Sequence, residues 1–178
     1  MGVNTYLAGL NILVAFLGIL FLVFTIYEFT SLRRLKEGFG ELKDQFKREI
    51  YTTQRAMQRV IASYHVQDVD KQIEILNEAV QIDPDVFNGF NALGYAYLQK
   101  RDYGKAIDAF NQAIKHHPAD KAGFHDLAIA HLYSGGEELC LKYLKKSIQI
   151  DPSSKADLVT NPIFEPLRIK EAFKELIH

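Results

Sequence analysis

The chain reads as an all-α protein: an apolar N-terminal helix, a charged helix after it, and a short helical solenoid of about three repeats closed by a capping segment. Three observations carry that expectation. Pro84, Pro118 and Pro152 stand 34 residues apart. Between them, small and bulky residues recur at the same spacing, as stacked helical hairpins require. Ahead of them, Leu7 to Tyr27 is almost wholly apolar, with Asn11 and Thr25 its frankly polar side chains.

The middle copy, residues 87–120, carries Phe90-x-x-Leu93-Gly94-x-x-Tyr97, then Ala106-x-x-x-Phe110-x-x-Ala113, then Pro118. The following copy, 121–154, places Phe124, Leu127, Ala128, His131, Cys140, Leu144, Ser147 and Pro152 in the same register. The preceding copy, 53–86, keeps Ala56, Val60, Ser63, Leu76, Ala79 and Pro84 but puts Arg59 and Gln72 where Leu and a small residue are expected. On these residues the chain resembles the tetratricopeptide repeat family. The resemblance implies antiparallel two-helix repeats that present a binding surface rather than an active site.

Elementary packing agrees with it. Small residues stand where helices must approach closely, and bulky ones fill the layers between them. A residue before proline is pushed out of the helical region, so Asp83-Pro84, His117-Pro118 and Asp151-Pro152 each end a second helix. Asp102-Tyr103-Gly104 and Ser134-Gly135-Gly136 are the expected turns within hairpins. Arg59 and Gln72 suit a terminal repeat, whose outer face meets water or another segment.

Residues 1–27 read as a membrane anchor. At about 1.5 Å per residue the apolar run spans roughly 30 Å, the thickness of a bilayer core. No basic residue precedes the run and no small-x-small site follows it, which argues against a cleaved signal peptide. Tyr6 stands where myristoylation after Gly2 wants Ser or Thr. Arg33, Arg34, Lys36, Lys43, Lys47 and Arg48 all follow the span and none precedes it. The positive-inside rule then places the N-terminus outside and the repeats in the cytoplasm. Glu28, Glu37, Glu41, Asp44 and Glu49 nearly balance that flank, which disfavours a polybasic lipid patch.

Residues 28–52 read as a juxtamembrane amphipathic helix. Leu32, Leu35, Phe39, Leu42 and Phe46 form a seam spaced 3, 4, 3, 4, and Gly38 and Gly40 mark a candidate hinge. Within the span a second stripe includes Asn11, Ala15, Gly18 and Thr25. Small and polar residues on one stripe suit close helix packing in lipid. Self-association, or packing on a membrane partner, is the expectation.

Residues 155–178 abandon the register. Asn161-Pro162 reads as a cap followed by proline in the first turn, Pro166 interrupts, and Ile169, Phe173, Leu176 and Ile177 form an apolar stripe. The segment resembles the terminal segment of bacterial repeat arrays of the family, which implies that it covers the last repeat. By that resemblance the expected membrane is the bacterial inner membrane.

No catalytic residues, metal ligands or cofactor site are expected. His125 and His131 lie six residues apart, off a shared helical face, and no Gly-rich phosphate loop, Cys pair or Ser-His-Asp set stands out. Cys140 falls at a small packing position and reads as a buried structural thiol. A formal net charge of −1 gives no electrostatic case for nucleic acid. Binding remains. In this family one helix of each hairpin lines the concave face, which implies a protein or peptide groove formed by Asn88, Asn91, Tyr95, Gln99, His125, Ile129 and Tyr133. Some members clamp acidic chaperone tails with Lys and Arg there. Met57, Ile61, Ala92, Ala122 and Asp126 hold those places here, so that clamp is missing. The expected function is a membrane-anchored interaction scaffold. The alternative is a structural or assembly subunit of a larger membrane complex.

Overall fold

The computed structural model describes residues 2–177, with side chains described for all of these except 2–8, 10–12 and 121. The chain divides into two compact units, one up to Ile50 and one from Tyr51 on.

Helix α1 (Gly2–Ser63) spans the first unit. The anchor and the juxtamembrane segment lie on one helix, which is helical through Gly38 and Gly40, so no break marks the candidate hinge. Glycine in a helix interior costs about 1 kcal/mol but does not forbid the conformation, and neither proline nor a cap interrupts the run. Side-chain pairing at one-turn spacing supports the charged part: Arg33 Nε lies 2.9 Å from Glu37 Oε1 as an ion pair, and Gln45 donates a hydrogen bond to Glu49 at 3.0 Å. Among the described residues this is the one helix long and apolar enough to cross a membrane. Ala15, Gly18 and Thr25 are exposed, and Thr25 turns its hydroxyl back to the Phe21 carbonyl at 2.7 Å. Asn11 lies outside the described side chains. Leu32, Leu35, Phe39, Leu42 and Phe46 are all more than half exposed.

The second unit begins with the end of α1 and continues through α2 (Val69–Ile82), α3 (Gly89–Gln99), α4 (Tyr103–His116), α5 (Lys121–Tyr133) and α6 (Glu137–Ile150). Aspartates start α2, α4 and α5: Asp68 accepts from the Asp70 and Lys71 amides, Asp102 from Lys105, and Asp120 from Ala122. Asp83, His117 and Asp151 end α2, α4 and α6 outside helical geometry, one residue before each proline.

The turns differ from expectation in one detail. Gly104 is already inside α4, and the left-handed residue of that turn is Arg101, with φ 58°. Its counterpart one repeat later is Gly135, with φ 86°. The register position demands the conformation, and glycine meets it without a Cβ clash.

Each helix from α2 to α6 packs on the next in sequence, and α3 also reaches α5. Three apolar clusters form the layers. Ala56, Val60, Leu76, Ala79 and Val80 join Ala92, Leu93 and Ala96; Phe110 joins Ala106, Leu127 and Ala130; Leu144 and Cys140 join Ala128 and the C-terminal segment. Gly94 lets α3 and α4 meet, since a Cβ there would sit 2.5 Å from the Phe110 ring. Cys140 is fully buried, and burial pushes its thiol up to about 12, so it stays protonated and unreactive.

The C-terminal segment comprises α7 (Ser154–Thr160), a 3-10 turn (Pro162–Leu167) and α8 (Glu171–Ile177). Asn161 caps the turn by accepting from the Ile163 amide at 3.1 Å. Phe164, Leu167 and Phe173 are fully buried beside Leu144 and Leu158. Ile169 does not join them: it is 80 % exposed, which removes it from the expected apolar stripe.

Candidate binding groove

Two adjoining depressions mark one side of the second unit, and Tyr95, Ile129 and Ile163 border both. The first, of about 410 Å³, is walled by Tyr95 from α3, His125, Asp126 and Ile129 from α5, and Asp157, Asn161 and Ile163 from the C-terminal segment. The second, of about 590 Å³, adds Leu98, Gln99, Arg101, Tyr103 and Tyr133. The register explains the assembly: residues 34 apart on α3 and α5 project to the same side, so Tyr95 stands beside Ile129 and Gln99 beside Tyr133.

The structure therefore brings five of the expected groove residues together, namely Tyr95, Gln99, His125, Ile129 and Tyr133. It leaves two elsewhere. Asn88 precedes α3 in a left-handed conformation (φ 61°) and donates to the Tyr64 hydroxyl at 2.5 Å. Asn91 does not face the groove as expected: it is buried, donating to Asp126 Oδ2 at 3.2 Å. Substituting it would disturb folding as well as any surface.

Asp126 is the residue that sequence reasoning undervalued. Only 6 % exposed, it accepts from Asn91 and, at 2.5 Å, from the Tyr95 hydroxyl. A buried carboxylate is tolerable only when donors satisfy it. Burial, and then the Asp126 charge, push ionisation of the Tyr95 phenol far upward, so it remains a neutral donor. The signal was an acid at a groove position where the middle repeat has Ala92. Its partners lie 31 and 35 residues away, one repeat back.

His125 links α5 to the capping segment. Its Nδ1 lies 3.7 Å from Asp126 Oδ1 and its Nε2 2.9 Å from Asp157 Oδ2. The Nε2 contact is a charge contact rather than an aligned hydrogen bond, since that buried nitrogen has no hydrogen-bond partner. The ring also stands edge-on to Phe164 at 5.5 Å. Burial alone would lower its pKa, but Asp126 and Asp157 outweigh burial and the net shift is upward.

A histidine whose folded pKa is raised stabilises the fold fully below its unfolded value near 6.5, and loses that contribution as pH climbs through the folded value. Burial lowers the pKa of His131, which works in the opposite sense and is lost as pH falls. Comparing wild type with His125→Gln isolates the first effect. The variant should lose more thermal stability at pH 6 than at pH 8.5, as melting curves across that range would show. An equal loss at both values would mean that His125 acts by packing alone.

Comparison with known proteins follows the same outline. Residues 87–120 match the tetratricopeptide repeat family. Among solved structures, the crystal structure of MamA superposes with a TM-score of 0.58 at 18 % identity, covering 76 % of this chain and 80 % of that one. A structure described as the MamA RS-1 ArsTM double mutant gives 0.56 at 16 % identity, covering 70 % of each chain. At such identities the likeness is one of fold. No curated protein matches the chain. Residues 87–120 thus belong to the tetratricopeptide repeat family, and the chain around them shares the fold of the solved structures it matches.

Proposed function

We propose that the chain is a membrane-anchored interaction scaffold. Residues 1–27 anchor it, and residues 28–52 lead to repeats at 53–86, 87–120 and 121–154, with 155–178 as a cap. The repeats face the cytoplasm and hold an extended protein segment in the groove. The observation that carries this reading is the groove itself: Tyr95 and Tyr133 remain 42 % and 49 % exposed beside two depressions, with Gln99 between them able to pair with a peptide backbone.

Replacing Gln99 and Tyr133 together by Ala tests it. Neither side chain is buried, so the melting temperature should stay within a few degrees of wild type. Partner capture in mild detergent should weaken by about 1–2 kcal/mol per true anchor, or roughly tenfold each. Unchanged capture with unchanged melting would remove the groove as the docking surface.

A second reading, a fixed subunit of a larger membrane complex or a self-oligomer, is favoured by the exposed stripe from Leu32 to Phe46 and by Ala15, Gly18 and Thr25. A subunit would keep a fixed ratio to its partners through purification, whereas an adaptor would exchange.

A further inference from the structure

The first depression differs from the second in charge. Asp126 and Asp157 both border it, and no Lys or Arg stands among the described residues of its wall; of the basic residues nearby, Arg168 is engaged with the Asn161 carbonyl at 3.2 Å and Arg101 borders the second depression. His125 lies between the two acids and offsets part of their charge when protonated. Tyr95, Ile129, Ile163 and Asn161 form the wall on either side, with Ala122, Ser147, Ser153 and Ser154 completing it. Both carboxylates are held in place. Asp126 is fixed by Asn91 and Tyr95, and Asp157 Oδ2 is fixed by His125 at 2.9 Å and by the Asn161 amide at 3.4 Å. Oriented negative groups in a partly enclosed site act more strongly than the same groups in open water. Aromatic and aliphatic walls suit the methylene stem of a long cationic side chain, and the Tyr95 face suits its charged head.

We propose that the first depression receives a lysine or arginine side chain of a partner protein's extended segment, while a neighbouring apolar side chain enters the second. The inference rests on the groove reading above and adds the chemistry of its occupant. A protein segment is chosen over a free amine because the depressions adjoin. Side chains two residues apart on an extended strand fall on one face, and Leu98, Tyr103, Tyr133 and Ile163 offer the second of them an apolar wall.

The experiment uses the full chain in mild detergent and labelled seven-residue alanine–glycine peptides read by fluorescence anisotropy. One peptide carries lysine and leucine two places apart; two others replace the lysine with norleucine or glutamate. The lysine peptide should bind at least tenfold more tightly than the glutamate peptide and several-fold more tightly than the norleucine peptide. That preference should shrink with added salt and disappear in Asp157→Asn. Equal binding of the lysine and norleucine peptides, or a preference untouched by Asp157→Asn, would overturn the assignment. So would absence of binding by the lysine peptide, or spermidine alone binding as tightly as that peptide. None of those results touches the Gln99/Tyr133 capture experiment, so the groove can stand while its proposed occupant falls.

Discussion

Gly94→Leu should be the most damaging single change in the repeat unit. A Cβ at that position would lie 2.5, 2.6 and 2.8 Å from three atoms of the Phe110 ring. That ring is itself fully buried between Ala106, Leu127 and Ala130. It cannot swing away without opening the layer shared by α3, α4 and α5. Overpacking a filled core costs about 1–3 kcal/mol, and leucine adds further carbons beyond Cβ, so we expect the upper end or more. For a domain of this size that corresponds to a fall of roughly 10 °C in melting temperature. Thermal melting of fragment 51–178 checks it. Gly104→Leu is the control, because the only atom near a Cβ there is the Asp102 carboxylate at 3.9 Å. Equal melting of the two variants would show that helix propensity, not the close approach of α3 to α4, sets the requirement at Gly94.

Phe164→Ala, in the capping segment outside the repeats, should cost as much or more and reach the groove as well. The Phe164 side chain is fully buried, 6.3 Å from the Phe173 ring and edge-on to His125. Truncating a buried phenylalanine costs about 3–5 kcal/mol through lost burial and the cavity left behind. In a repeat array each layer is held mainly by its neighbours, so the loss concentrates at the C-terminal end. The segment that would loosen also supplies Asp157, Asn161 and Ile163 to the groove. Partner capture should therefore fall together with stability in Phe164→Ala, whereas Gln99→Ala with Tyr133→Ala lowers capture alone. Normal capture by a destabilised Phe164→Ala chain would mean that the capping segment contributes nothing to binding.

These two residues illustrate what the sequence makes legible. Gly94 and Phe110 belong to a pattern that recurs every 34 residues, and burial in stacked hairpins follows such a pattern directly. The capping aspartates and the pre-proline stops are equally local, because each depends on one or two adjacent residues. The burial of Asn91 is illegible for the opposite reason. A polar side chain on a helix is soluble or buried according to whether a donor or acceptor meets it across the layer, and Asp126 lies in the next repeat. Arg101 in a left-handed turn has no composition signal, since only the backbone path of the hairpin requires it. The contribution of Asn161 and Ile163 to the groove was also out of reach. The capping segment abandons the repeat register, so superposing one repeat on another says nothing about where it folds back. The continuity of α1 through Gly38 and Gly40 shows a further limit: glycine weakens a helix without marking its end.

Anchoring is best tested by protease treatment of intact cells expressing the full chain, combined with alkaline extraction of their membranes. The apolar stretch before Tyr27 and the six basic residues after it lead to one expected result. The chain should stay in the extracted membrane pellet, and residues 51–178 should survive external protease until the membrane is opened. Release of the chain into the alkaline supernatant would contradict the anchor, and digestion of residues 51–178 in intact cells would place the groove and its partners on the other side.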